Sequence, residues 1–198
     1  MIKTVRVSDI SAVLKACAVL EAGGVVMHPT ETCYGFAVDV MNKSALEKLY
    51  KIKGRDGYKP FSILVNGFEM AEQYGIFSDK ARLLANEFWP GALSIVVPRT
   101  NKLPVWLNAG EDYVSLRSSS DKFCNEMISK FGRVVTTTSA NLSGELPLYI
   151  PDISVFGDLG GLIDLLVDGG ELMVNNPSTV AKVVGDRVGV LRQGDIQV

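Results

Sequence analysis

The residues best suited to chemistry are cations that stand where a predicted helix ends. Lys53 and Arg55 flank a glycine at that end, and Lys59 follows shortly after. Ammonium and guanidinium groups bind phosphate oxygens well, so this segment is a candidate anion clamp. Cations at a helix C-terminus also complement the helix dipole, and that structural role explains the pattern equally well.

A second candidate is the polar turn that follows the predicted β-branched strand Val134–Thr138. Ser139, Ala140 and Asn141 offer short side chains and exposed backbone N–H groups. Such a turn can cradle an anion or bond to a ribose or a base. A Ser or Asx turn that merely ends the strand is the commoner explanation.

The third candidate is the sequence PTET at residues 29–32, which follows a buried-type strand. This turn suits a small polar ligand, or it satisfies only its own hydrogen bonds. Arg117 ends another predicted strand and suits either a substrate carboxylate or a surface ion pair. His28 fits a packing role better than that of a general base. Cys33 has too few fixed cations nearby to favour a thiolate.

Several common site types are excluded by the composition. The sequence contains neither GxxxxGK[ST] nor GxGxxG, its one histidine rules out a multi-histidine metal site, and its three cysteines form no CxxC pair. A net charge of -2 and a pI near 5.5 argue against a general polyanion binder. No apolar run approaches the ~18 residues of a membrane span. We therefore expect a reduced, soluble, cytoplasmic protein without membrane contact.

The periodicity of apolar residues predicts one domain over residues 1–198, of the α/β (α+β) class with a mixed sheet. Helices and strands interleave early in the chain, and strands dominate late. The predicted helices are 9–21 (capped by Ser8 or Asp9), 43–53 (capped by Asn42), 68–74, 78–88 and 121–131, with one helical turn in the loop 145–160. The predicted strands are 25–28, 36–40, 61–65, 93–97, 113–117, 134–138, 163–167, 179–184 and 188–192.

Taken together, the motifs resemble the YrdC-like family of threonylcarbamoyl-AMP synthases. The matching stretches are HPTETCYGFAVDV, LYKIKGRDGYKPFSILV, FWPGALSIVVP, VSLR, TTTSANLSGE, PSTV and VLRQG, spread in the family's order from about residue 20 to 194. The resemblance implies a single-domain, YrdC/RibB-like fold. That fold is a twisted mixed β-sheet with flanking helices around a central cavity.

The resemblance also implies a reaction, that of an L-threonylcarbamoyladenylate synthase, a nucleotidyltransferase. L-threonine and bicarbonate or CO2 give N-carboxy-threonine, which attacks the α-phosphorus of ATP and releases pyrophosphate. A separate transferase complex then passes the threonylcarbamoyl group to adenosine 37 of tRNA, as t6A, and weak tRNA binding by the synthase is compatible with this. Mg²⁺ is expected with ATP but without assigned protein ligands, and no organic prosthetic group is expected.

Site residues follow from the resemblance by position. Those implied for ATP binding are Lys53, Arg55, Lys59, Ser139, Asn141 and Arg192, with Lys53 and Arg55 also catalytic. Those implied for threonine binding are Thr32, Tyr34, Arg117, Thr137 and Ser178. The chain departs from the family at Asp56 (often proline), Leu64 (histidine in some members), Ser119 (the proline of VRxP) and residues 145–147 (often Arg-Pro-Ser).

Two other functions stay open at this point. One is an RNA-binding or ribosome-associated module that uses the same cavity without catalysis. The acidic pI weighs against it, and the intact cations and the intact SAN turn favour an enzyme. A paralogue with a different acyl-adenylate chemistry is the weaker alternative.

Overall fold

The protein is built on one mixed β-sheet, seen in a computed structural model that describes residues 2–54 and 60–198. The strands are β1 (Lys3–Arg6), β2 (Val26–His28), β3 (Gly35–Ala37), β4 (Ser62–Leu64), β5 (Leu93–Pro98), β6 (Tyr113–Arg117), β7 (Val135–Ser139), β8 (Leu165–Asp168), β9 (Thr179–Val184) and β10 (Arg187–Arg192). The helices are α1 (Ala12–Glu21), α2 (Lys43–Lys53), α3 (Phe68–Ala71), α4 (Asp79–Phe88) and α5 (Lys122–Phe131), and a 3-10 segment covers Ile153–Leu162.

The strand order is β1-β8-β2-β3-β7-β4-β6-β5-β9-β10, which confirms the predicted mixed sheet. Parallel pairs (β1–β8, β8–β2, β4–β6 and β5–β9) occur beside antiparallel ones. The edge strand β1 was not predicted. Val5 is its one buried residue, so the four-residue segment carries no apolar alternation that a sequence reading could detect.

Alternate residues of the strands face two different environments. In β6, Val114 and Leu116 are buried in the main core, whereas Tyr113, Ser115 and Arg117 line a cavity. The same alternation holds in β5 and β9. The core face packs against α2 and α4, and each fully buried Val or Leu contributes about 1.5–3 kcal/mol. The core therefore anchors the strands whose other face forms the cavity floor.

Hydrogen bonds confirm the predicted cap of α2 and show that α4 and α5 are capped in the same way. Side chains of Asn42, Ser78 and Asp121 accept from the backbone N–H three residues later, at 3.1, 3.3 and 2.9 Å. The predicted start of the first helix is wrong. Asp9 instead accepts from the N–H of Ser11 at 2.8 Å, which closes a turn before α1. In the loop after residue 145, the single predicted helical turn is a longer 3-10 segment with a kink at Gly157.

Candidate active site

A cavity of about 830 Å³ lies over the polar face of the sheet. Its floor comes from alternate residues of β5, β6 and β9 and from residues of β4 and β7. Its walls come from the PTET turn, the SAN turn and the segment before β9. The cavity brings together seven predicted site residues, Thr32, Arg117, Thr137, Ser139, Asn141, Ser178 and Arg192.

No helix of the described ranges is long and apolar enough to cross a membrane.

The register of the sheet places one row of small and polar side chains across the cavity floor. Thr137 pairs with Ser62, whose hydroxyl lies 2.7 Å from that of Ser115. Ser115 pairs with Val96, which in turn pairs with Lys182. This row crosses five strands, and Arg117 lies two residues further along β6, roughly 7 Å away. The floor thus has a short hydroxyl-rich centre and cations at its margins.

Arg117 is a cation of the cavity lining that is almost fully buried. The residue is only 5% exposed, and Nη2 lies 2.7 Å from a carboxylate oxygen of Glu31. Nη2 also lies 3.4 Å from the hydroxyl of Thr32, and Nε donates to the carbonyl of Gly91 at 3.3 Å. The structure therefore joins the PTET turn to the end of β6, although 85 positions separate Thr32 from Arg117.

Hydrogen bonds within the PTET turn fix the direction of the Thr32 hydroxyl. Thr30 Oγ1 donates its hydroxyl proton to the carbonyl of Cys33 at 2.7 Å, so it cannot also donate to Thr32. Thr32 Oγ1, 3.0 Å from Thr30 Oγ1, is then the donor of that pair. Its lone pairs face Arg117 and the cavity. Thr32 is consequently an acceptor for a ligand, suited to an amine or a hydroxyl.

Arg192 and Ser178 join two of the sequence motifs. Arg192 donates from Nε to the Ser178 carbonyl and from Nη2 to its hydroxyl, both at 2.9 Å. The backbone there is so close that a side chain at Gly194 would meet the Pro177 carbonyl at 2.1 Å. Burial, and then the charge of Arg117, lower the pKa of Arg192. An anion in the cavity would relieve this repulsion and interact with both guanidinium groups.

Lys53 lies beneath the SAN turn rather than at the cavity surface. It is fully buried, and its ammonium donates to the Ser139 carbonyl at 2.6 Å and to the side-chain oxygen of Asn141. Ser139 Oγ also donates to that oxygen, and the Asn141 amide donates to the Glu145 carbonyl at 2.5 Å. Lys53 thus stabilises the shape of the SAN turn. The helix dipole, suggested by its position at a helix end, is only one of its interactions.

Two predicted clamp residues, Arg55 and Lys59, lie outside the described residues, so their phosphate contacts stay predictions. Tyr34 is fully buried and is not part of the cavity lining. Its hydroxyl donates to the Gly170 carbonyl at 2.7 Å and accepts from the N–H of Gly169 at 2.9 Å. Tyr34 therefore supports the wall from behind, and its predicted contact with threonine stays untested.

The two residues that looked most reactive in the sequence lie in unreactive surroundings. Burial lowers the pKa of His28, which favours the neutral ring, and the ring lies 3.5 Å from the Cys124 sulfur. Cys33 lines the cavity, but burial raises the pKa of its thiol and disfavours the thiolate. Among the described residues, no three His, Cys, Asp or Glu side chains form a metal-binding group.

Sequence reasoning missed two charged residues of the site. Glu31 was considered only as part of a turn, and Lys182 not at all. Lys182 lines the cavity with its ammonium 3.7 Å from the centre of the Tyr113 ring, a cation–π contact. The available signal was the alternation of β9, in which Lys182 interrupts an otherwise apolar strand.

Comparison with known proteins places these observations in a family. The Sua5/YciO/YrdC family model, described as "Telomere recombination", matches residues 18–194. Curated relatives named threonylcarbamoyl-AMP synthase include one from Pyrococcus abyssi (30% identical, 91% of this chain and 53% of the relative covered). Another, from Bacillus subtilis, is 33% identical, with 93% and 54% covered. The chain spans about half the length of these two relatives.

A solved structure agrees with this assignment. P. abyssi Sua5 complexed with L-threonine superposes with a TM-score of 0.88 at 29% identity, covering 98% of this chain and 57% of Sua5. The likeness covers nearly the whole chain. The resemblance seen in the motifs is therefore confirmed, and the chain belongs to the Sua5/YciO/YrdC family.

Proposed function

We propose that the protein is a threonylcarbamoyl-AMP synthase, which forms threonylcarbamoyl-AMP and pyrophosphate from L-threonine, bicarbonate or CO2, and ATP. The observation that carries this proposal is the pairing of Arg117 with Thr32 in the cavity. It occurs in a chain similar to a Sua5 that has been solved with L-threonine. An amino acid needs hydrogen-bond donors for its carboxylate and acceptors for its amine. A guanidinium supplies the donors, and the adjacent hydroxyl supplies an acceptor.

The amino acid is expected to bind at the Arg117 end of the cavity. Nη1 of Arg117 has no hydrogen-bond partner among the described residues, so it can donate to the substrate carboxylate. The Thr32 oxygen accepts from the amine or the hydroxyl of threonine. Ser178 and Thr137 line the same region and offer further hydroxyls.

The nucleotide is expected to bind along the SAN turn, where Lys53 fixes Ser139 and Asn141. Arg55, Lys59 and Arg192 supply charge for the phosphates. A carbamate oxygen of N-carboxy-threonine attacks the α-phosphorus, and the bond from that phosphorus to the pyrophosphate oxygen breaks. Negative charge then builds on the phosphoryl oxygens and on the departing pyrophosphate. Fixed donors stabilise this charge without reorganisation, so positioning and electrostatics account for the catalysis.

The described cavity lining fits a Mg²⁺ ion that arrives with the nucleotide. Its carboxylates are Glu111 and Glu145, and they do not form a three-ligand cluster. Mg²⁺ commonly keeps several waters and binds through substrate phosphates, which suits this lining. The ion would neutralise phosphate charge, while the protein side chains orient the phosphates.

The product is an acyl adenylate, which a second protein must use. We propose that a tRNA threonylcarbamoyl transferase complex accepts it for t6A formation. A non-catalytic RNA module remains the second candidate from sequence. No described feature favours it, because Arg117 and Arg192 lie in a concave cavity and already contact protein groups, and Lys53 is buried beneath the SAN turn.

The expected result of the direct test is pyrophosphate release that requires L-threonine, ATP and bicarbonate together. Purified protein is incubated with all three, and pyrophosphate and the adenylate are followed. L-valine, which has the same shape without the hydroxyl, should support much slower release, because hydroxyl acceptors would be left unpaired. Absence of threonine-dependent release by folded protein would reject the synthase. Tight tRNA binding that survives Arg55→Ala would support the RNA module instead.

A further inference from the structure

Glu31 is held at both oxygens of its carboxylate. Oε1 lies 2.7 Å from Arg117 Nη2 and accepts from the N–H of Ser120 at 3.2 Å. Oε2 accepts from the hydroxyl of Ser119. The Arg117 and Glu31 side chains are only 7% and 18% exposed. A carboxylate bonded in this way has a single orientation and fixes the group with which it pairs.

The electrostatics argue that Glu31 acts through charge and position, not through proton transfer. Burial alone would raise the pKa of Glu31, but the charge of Arg117 and the hydrogen bonds from Ser119 and Arg117 outweigh it. Together they hold the pKa below its ordinary value of 4.5. Glu31 therefore stays ionised at neutral pH. Such a group is a poor general base, since efficient bases have a pKa near the working pH.

The hydrogen bonds of Arg117 show which nitrogen of its guanidinium group can still donate to a ligand. Nη2 is used by Glu31 and Thr32, and Nε by the Gly91 carbonyl. Three contacts on two of the three nitrogens fix the plane of the guanidinium. Nη1 is the nitrogen without a partner among the described residues, so this anchoring selects the edge that meets a ligand.

Ser119 links the Glu31 carboxylate to the start of α5. Its hydroxyl donates to Glu31 and accepts from the N–H of Asp121 at 3.1 Å, and the residue is fully buried. Serine here connects the start of α5 to the Glu31–Arg117 pair.

We propose that Glu31 and Ser119 are positioning residues of the amino-acid pocket, which hold the Arg117 guanidinium so that Nη1 meets the substrate carboxylate. The identity of the ligand rests on the proposed function, whereas the anchoring of Arg117 does not. A guanidinium fixed before binding increases affinity, because little ordering cost is left when the ligand arrives.

The kinetic test uses Glu31→Gln and Ser119→Ala, each checked for folding by thermal unfolding. Glu31→Gln should raise the KM for L-threonine about 10- to 100-fold, and Ser119→Ala about 3- to 10-fold. The KM for ATP and the kcat at saturating threonine should change less than about twofold, as expected for lost ground-state binding. Glu31→Asp, which keeps the charge, should recover part of the affinity that Glu31→Gln loses.

The matched control is Glu111→Gln, because Glu111 is an exposed carboxylate of the same cavity lining. It should leave the KM for threonine within about twofold of the wild-type value. If Glu111→Gln raises that KM as much as Glu31→Gln does, general electrostatics explain the effect and the positioning role is wrong. An equal rise in the KM for ATP in Glu31→Gln would also overturn it.

A second measurement needs no turnover and no threonine. In protein labelled with ¹⁵N-arginine, Arg117 signals are assigned by their loss in Arg117→Lys, and hindered rotation should resolve its Nη groups. In both Glu31→Gln and Ser119→Ala, the Arg117 guanidinium should rotate faster, so that the separate Nη signals average into one. Unchanged signals would reject the positioning role whatever the substrate is. Averaged signals in a protein without synthase activity would reject the proposed function and retain the positioning role.

Discussion

Arg117→Ala is expected to raise the KM for L-threonine by about 10²–10³-fold, the range for truncation of one partner of a buried charge pair. The variant should also lose about 2–4 kcal/mol of unfolding free energy, because Glu31 is left buried without its cation. The lower part of that range is expected, since Glu31 keeps its bonds to Ser119 and Ser120. Steady-state kinetics and urea unfolding at neutral pH measure the two effects.

The pH dependence of this loss has a definite sign. In the wild type the pKa of Glu31 is lowered, so its contribution to stability is full above the ordinary value of 4.5 and is lost as the pH falls through the folded pKa. The difference between wild type and Arg117→Ala should therefore shrink on acidification. Arg192→Ala is the control, because Arg192 contacts only Ser178 among the described groups and should cost less stability. A difference that grows on acidification would contradict the assigned ion pair.

Lys53→Met is expected to abolish measurable synthase turnover and to cost about 2–4 kcal/mol of unfolding free energy. Methionine fills similar space but leaves the Ser139 carbonyl and the Asn141 side-chain oxygen without their buried donor. The SAN turn should then lose the geometry that the nucleotide needs. Pyrophosphate release and chemical unfolding of the same preparation separate the two effects.

Arg55→Ala provides the comparison for Lys53→Met. The sequence predicts that Arg55 is a solvent-facing clamp residue, so its loss should abolish turnover and leave the fold intact. Lys53 differs because it is fully buried. Wild-type stability in Lys53→Met would show that the ammonium does not support the turn. Unfolding of Arg55→Ala would instead indicate a structural role at the end of α2.

Much of the fold could be read from local patterns. The strands β6 and β9 have the predicted bounds, because alternation or β-branched residues define them and turn residues flank them. Asn42 was found as a cap because a short polar side chain precedes a clear apolar stripe. β1 could not be found, since its place depends on β8, which lies more than 150 residues away and presents no local signal.

The site was less accessible to residue-level reasoning. Spacing could not show that Thr32 and Arg117 meet, because the contact depends on the order of β2, β3, β7, β4 and β6 in the sheet. The family resemblance supplied that grouping. Neither route revealed that Lys53 is buried or that Glu31 pairs with Arg117, since a charged residue at a helix end or in a turn has the same sequence pattern whether it is exposed or buried.

The alternation of β6 has a consequence for how such a chain can change. Val114 and Leu116 are buried in the core, while Tyr113, Ser115 and Arg117 line the cavity, so the two sets alternate along one strand. Substitutions at Tyr113 or Ser115 can remodel the cavity floor while the core persists, whereas Arg117 also stabilises the fold through Glu31. A one-residue insertion or deletion would exchange the two sets and lose both at once. This strand can therefore evolve by residue substitution, but an insertion or deletion of one residue would disrupt both its core contacts and its cavity contacts.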